Sequence, residues 1–334
     1  MATRESSGPD GVEEAGRSGG RHEQTAGSAD SPAASRRVVY PVGEIEQPDG
    51  VATVARALAG AESRPLVTGV VSVPEQTPLE LSDRVLGPHR EQLRHAAADV
   101  AAAGPGPVPD TRQVVGRHPL RSLANTVERH DATTVVTSPP QHRPPLTSLR
   151  RSSVEWLQTA LPTRVVVVRD APEVGSVSSI LLPVPAVESK PGESDAAAGS
   201  ASASDANRES PEHTRHVSAA VETARRLAVA RDAWVDLLHV VPSDASEARR
   251  ERGRAALAAA REQCGGLERC DTWDLTADNV AAAVAEQSVY YDATVIGTPR
   301  HGRLERLLGA ATATEVAERA HGTTLVVSPS VDDE

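Results

Sequence analysis

The order in which short apolar strands alternate with helices runs along this chain twice, and that repetition limits the folds open to it. The segment Val38-Val39-Tyr40-Pro41-Val42 is echoed by Ser179-Ile180-Leu181-Leu182-Pro183-Val184, and comparable elements follow each. In the first copy, strands are expected at 36–42, 66–73, 111–115, 133–137 and 165–168. Helices are expected at 51–58, 78–103, 120–130 and 152–160, with Gly87-Pro88 interrupting the second. In the second copy, strands are expected at 179–184, 234–241, 271–275, 293–296 and 323–327. Its helices are expected at 216–229, 246–263, 279–286 and 311–319, with Ser246 an N-cap. Strands alternating with helices predict α/β architecture, with parallel sheets covered by helices on both faces. The reading gives a disordered tail at 1–35, one domain at 36–170 and a second at 171–334. A disordered acidic insertion rich in Ser, Ala and Asp is expected at 186–212.

Composition narrows the function classes. The 334 residues carry a formal charge of -11, so a nucleic-acid groove or an anionic membrane surface is not expected. Lys190 is the only lysine, and an acidic, lysine-poor chain fits a salt-loaded or GC-rich host. Aromatic residues make up 2% of the chain with no Phe, which leaves the cores to Val, Leu, Ile and Ala and few rings for stacking bases. No apolar run reaches the length of a membrane span, and the N-terminal residues lack the pattern of a secretory signal, so a cytoplasmic location is expected. Cys264 and Cys270 match neither a redox C-x-x-C pair nor a zinc pattern and read as free thiols.

One loop has nucleotide-binding character: Gly297-Thr298-Pro299-Arg300-His301-Gly302-Arg303, continuing through Leu308-Gly309. It leaves a strand and leads toward a helix. Small residues there permit close backbone approach, and exposed amides at such a start can cradle phosphates. Gly297, Thr298, Arg300, Gly302 and Gly309 are the candidate cofactor-binding residues, with ATP or AMP the candidate ligand. The alternative is a turn whose glycines relieve backbone strain and whose arginines face water. The matching loop of the first copy, Thr137-Ser138-Pro139-Pro140-Gln141-His142-Arg143-Pro144-Pro145, has no glycine, and its prolines remove backbone donors. His239 reads as a core or strand-end histidine, and His118 as a turn residue before a helix. No H-E-x-x-H, G-x-S-x-G or EF-hand pattern is present, so no catalytic or metal-binding residue is assigned.

Several of these segments resemble the universal stress protein family. Ala293-Thr294-Val295-Ile296-Gly297 is similar to the strand and first glycine of its Gly-x-x-Gly motif, and Thr324-Leu325-Val326-Val327 to its last strand. Ile180-Leu181-Leu182-Pro183-Val184 and Leu237-Leu238-His239-Val240 are similar to its first two strands. Val38–Val42, Val115–Pro119, Thr134–Val136 and Val165–Val168 carry a weaker likeness in the first copy. The resemblance implies two tandem Rossmann-like domains with open, mostly parallel five-stranded sheets, of the adenine nucleotide alpha hydrolase-like type. It implies that the last strands, Val165–Val168 and Leu325–Val327, pair within the chain as a pseudo-dimer; homo-oligomers are the other possibility.

The sequence departs from the family where ATP is bound. The aspartate that follows the first strand in ATP-binding members corresponds to Gly43 and Pro185. The second motif glycine corresponds to Arg300, and the closing Gly-Ser pair to Ala310-Ala311. In the first copy these loop positions are Thr137, Pro140, Arg150 and Arg151. The resemblance therefore implies a non-enzymatic stress-response or regulatory protein that acts on a protein partner, without a cofactor. An ATP/AMP sensor using the second domain, with slow hydrolysis, is one alternative. Regulation of an amino-acid transporter is another.

Overall fold

The computed structural model describes residues 37–43, 47–73, 83–139, 153–170, 177–186, 211–299 and 305–331. In the first half the strands are β1 (Arg37–Gly43), β2 (Leu66–Ser72), β3 (Asp110–Gly116), β4 (Ala132–Thr137) and β5 (Arg164–Arg169). The helices between them are α1 (Asp49–Ala59), α2 (Asp83–Ala102), α3 (Pro119–Arg129) and α4 (Ser153–Ala160). In the second half the strands are β6 (Ser179–Pro183), β7 (Trp234–Val241), β8 (Cys270–Thr276), β9 (Ala293–Gly297) and β10 (Thr323–Ser328). Their helices are α5 (Pro211–Arg231), α6 (Glu247–Gln263), α7 (Val280–Ser288) and α8 (Glu305–Arg319).

All ten strands form one sheet in the order β3-β2-β1-β4-β5-β10-β9-β6-β7-β8. Each half is parallel throughout, with a helix in the connection between strands. The two halves meet at a single antiparallel pair, where Leu325 lies opposite Val168, Val326 opposite Val167 and Val327 opposite Val166. These are the strands expected to pair as a pseudo-dimer. Each would otherwise be an apolar edge with open N–H and C=O groups, and each closes the other.

Period-two alternation then sorts the side chains. Val166, Val168, Leu325 and Val327 point to one face and join a core that continues across both halves under α1, α2, α5 and α6. Val165 and Val167 point to the opposite face, where a second core lies under α3 and α4. A third core lies under α7 and α8. The continuous face is also tied by polar bonds. Arg226 of α5 donates to the carbonyl of Leu58 in α1 at 2.8 Å, and Arg231 donates to the carbonyl of Ala103, just past α2, at 2.9 Å. Both carbonyls belong to helix C-terminal turns, whose last C=O groups have no partner within the helix and favour a cation.

Three expectations are corrected. Helix α2 runs through Gly87-Pro88 without interruption. A glycine and a proline in a helix interior cost about 1 and about 3 kcal/mol, but Leu86, Leu93, Ala96 and Val100 lie buried along one stripe of this helix and offset that cost. Helix α5 begins at Pro211, within the end of the expected insertion, and α8 begins at Glu305 rather than 311. The tail expected at 1–35 and most of the 186–212 insertion lie outside the described residues. Ser246 does cap α6, its side chain accepting from the Arg249 amide. His118 takes the N-cap position of α3 but makes no side-chain capping bond.

Candidate functional site

In an open parallel sheet, ligands sit beyond the C-terminal ends of the strands, where the strand order reverses. Here that point falls between β1 and β4 in the first half and between β6 and β9 in the second. At both places the strand ends themselves are described, while the loops 44–46, 140–152, 187–210 and 300–304 lie outside the described residues.

In the first half, β1 ends at Gly43 with φ +115, and a Cβ there would collide with the carbonyl oxygen of Val70 on the neighbouring strand β2. Only glycine fits that backbone, so no carboxylate side chain can project from this position. Gln47, just before α1, reaches across to the end of β4. Its Nε2 donates to Thr137 Oγ1 at 3.1 Å, and its Oε1 accepts from the Ser138 amide at 2.9 Å. The Ser138 amide opens the loop that would otherwise present donors to a phosphate. Thr137 and Ser138 are 0% and 1% exposed, and Gln47 bonds them from a half-buried position.

In the second half, β9 ends at Gly297. A Cβ there would stand 2.5 Å from the backbone oxygen of His216 in α5. The glycine therefore serves close packing of a helix against the strand end. Thr298 follows, and its amide donates to the Val327 carbonyl of β10 at 2.8 Å. Its hydroxyl lies 3.1 Å from Ser328 Oγ and 3.3 Å from the Val327 oxygen. On the other side of the reversal, His239 near the end of β7 donates through Nδ1 to the carbonyl of Val184 at 2.7 Å. Its ring lies so close to Gly253 of α6 that no side chain fits there. His239 is thus the strand-end core histidine that the sequence suggests, and it packs the space between β6, β7 and α6.

At the rim, the Asp278 carboxyl accepts from both the hydroxyl and the amide of Ser243. Hydrogen bonds from the Ser243 side chain and backbone hold its pKa below the usual carboxylate range. An ionised, doubly bonded carboxylate of this kind is poorly placed to take up a proton as a general base. Among the described residues, no group of three or more His, Cys, Asp or Glu side chains is arranged to hold a metal ion.

Of the candidate residues, the structure describes Gly297 and Thr298 side by side at the end of β9, while Arg300 and Gly302 lie outside the described residues. Gly309 lies within α8 rather than in the loop before it. Gln47, His216 and Gly253 carried no sequence signal: each matters through a contact distant in the chain. Replacing Gln47 by Ala is expected to strand the buried Ser138 amide and lower unfolding free energy by about 1–3 kcal/mol, measured by urea denaturation.

No protein-family model matches the sequence, and no curated protein matches it. Solved structures do match. A universal stress protein from Archaeoglobus fulgidus superposes with a TM-score of 0.56 at 14% identity, covering 90% of this chain and 98% of that one. A Pseudomonas aeruginosa protein assigned to the universal stress proteins gives 0.54 at 15% identity, covering 90% and 95%. The chain has the universal stress protein fold. The same fold occurs in the cytoplasmic domain of a prokaryotic cation chloride cotransporter, with a TM-score of 0.51 at 10% identity over 89% of this chain and 97% of that one. Coverage near completeness in each case means that the tandem stress-protein arrangement, and not one half alone, is what is shared. Among the described residues, no helix is long and apolar enough to cross a membrane.

Proposed function

We propose that this chain is a non-enzymatic regulatory protein of the stress-protein type that works through protein contacts, with neither half holding a nucleotide. The observation that carries this reading is the Gln47 clamp on Thr137 and Ser138. It engages, with a side chain of this molecule, a donor that a phosphate would need. The packing of the His216 backbone against Gly297, and the bonds of Thr298 to β10, support the same reading for the second half. Away from both strand ends, Val289 and Tyr290 are 56% and 77% exposed, and offer apolar contact surface.

A transporter-associated partner is a particular form of this reading, supported by the fold shared with a cotransporter's cytoplasmic domain. The test of the general reading is calorimetric titration of magnesium-ATP and of AMP into the full chain in high salt. The expected outcome is no saturable heat, with any Kd weaker than about 1 mM. Micromolar, saturable binding overturns it and favours the adenine-nucleotide sensor.

A further inference from the structure

Two guanidinium groups meet one imidazole at the N-terminal edge of the sheet. Arg37 opens β1, Arg112 lies near the start of β3, and His130 caps the C-terminus of α3, just before β4. Strand β2 lies between β1 and β3, so the two arginines stand on strands about 10 Å apart and the ring bridges them. The His130 amide donates to the Thr126 carbonyl at 3.1 Å, which fixes the residue at the end of the helix. Arg37 Nη1 lies 3.1 Å from His130 Nδ1, and Arg112 Nη1 lies 3.0 Å from His130 Nε2. All three residues are half-buried, which leaves them open to a small solute.

These two contacts cannot both be hydrogen bonds. A guanidinium carries only N–H donors, and a neutral imidazole has a single acceptor nitrogen. One contact therefore sets N–H against N–H, and protonation of the ring would do so at both. Neither arginine has a carboxylate partner among the described residues. The charges that act on the ring are mostly of one sign: Arg112, Arg37 and Arg129 of α3, opposed by Asp110 of β3. Asp110 is itself drawn to Arg64 at 3.8 Å, and the exposed Asp131 follows the ring in the chain. Burial, and then the three arginines, hold the His130 pKa below its ordinary value. What this group of donors lacks is a partner that only accepts.

We propose that Arg37, Arg112 and His130 form a binding site for a tetrahedral dianionic oxyanion, phosphate or sulfate in type. It lies at the opposite edge of the sheet from the strand ends that carry Ser138 and Thr298. A tetrahedral oxyanion offers lone pairs in several directions. Seated between the guanidiniums, it accepts from both and from a ring N–H, and the contact of donor against donor is removed. Its charge favours the imidazolium, so binding is linked to proton uptake by His130. Because the three residues are half-exposed, salt screens the attraction and weakens binding. That salt dependence, together with variants of the two arginines, keeps this site distinct from any nucleotide at the strand ends.

The test is an NMR titration of the histidine ring signals of the full chain with sodium sulfate at low ionic strength, against sodium chloride at matched ionic strength. His130→Gln assigns the His130 signals. Sulfate keeps its double charge throughout the histidine range, so a pH dependence of binding belongs to the protein. The His130 signals should shift saturably, with a Kd below about 1 mM, and the ring should titrate at higher pH with sulfate bound. Arg37→Gln and Arg112→Gln should each weaken binding about tenfold or more, the range for losing one charge-assisted hydrogen bond. Asp110→Asn removes the opposing charge and should tighten binding. Inorganic phosphate and glycerol 2-phosphate then separate two sources of the anion. Equal binding of both supports the phosphate group of a larger molecule, and binding of inorganic phosphate alone supports the free ion. The proposal is overturned if the His130 signals move no more with sulfate than with chloride. It is equally overturned if both arginine variants bind sulfate as tightly as the unaltered chain, or if Asp110→Asn weakens binding.

Discussion

Leu325→Ala lowers the unfolding free energy by about 2–5 kcal/mol, the range for removing a fully buried leucine side chain and leaving a cavity. Leu325 is 0% exposed and sits at the antiparallel junction of the halves, opposite Val168. It also belongs to the core that continues beneath α1, α2, α5 and α6. The lost contacts therefore lie where one half closes the other. The neighbouring Val326 is only partly buried, and Val326→Ala should cost clearly less. Urea denaturation of both variants checks the pair. Equal, small losses would mean that the junction contributes little to holding the sheet together.

The second large effect is expected at Glu222. Its carboxylate bonds Arg225 at 2.9 Å and Arg226 at 2.7 Å, with a side-chain exposure of 23%. Burial alone would push the Glu222 pKa up, but the hydrogen bonds from Arg225 and Arg226, with their charges, outweigh it and hold the pKa at about 2. A group whose pKa is depressed on folding contributes stability that is full above its unfolded pKa and is lost as pH falls through its folded value. The window here runs from the ordinary 4.5 down to about 2. At about 1.4 kcal/mol per pKa unit this is roughly 3 kcal/mol near neutrality. Glu222→Gln should lose most of that at pH 7, while wild type and variant converge in stability as the pH approaches 2. Because Arg226 also holds the Leu58 carbonyl of α1, the loss should extend to the contact between α5 and α1. Stability curves that stay parallel across this range would place the ion pair outside the folding energetics.

Sequence and structure agree most closely where a property is local. The runs Val165–Val168 and Leu325–Val327 are short, apolar and rich in valine, and the strands and their pairing follow from them together with the resemblance. Ser246 is legible as a cap because capping is decided within one turn. What the sequence concealed depends on chain-distant contacts. Gly87-Pro88 looks like a break until the buried stripe from Leu86 to Val100 is seen to outweigh it. The close approach of the His216 backbone in α5 to Gly297 has no trace in the loop's own sequence. Gln47 is an unremarkable polar residue until it is found bonded to Thr137 and Ser138 on a strand far along the chain.

The claim that the amides at both strand ends are held by this molecule's own groups rather than by a nucleotide is tested most directly by amide hydrogen exchange at Ser138 and Thr298, with and without magnesium-ATP. The Ser138 amide is bonded to Gln47 and the Thr298 amide to Val327. Both should be protected in the nucleotide-free protein and unchanged by nucleotide, and only Ser138 should lose protection in Gln47→Ala. Fast exchange of these amides in the free protein, with protection appearing when nucleotide is added, would contradict the account.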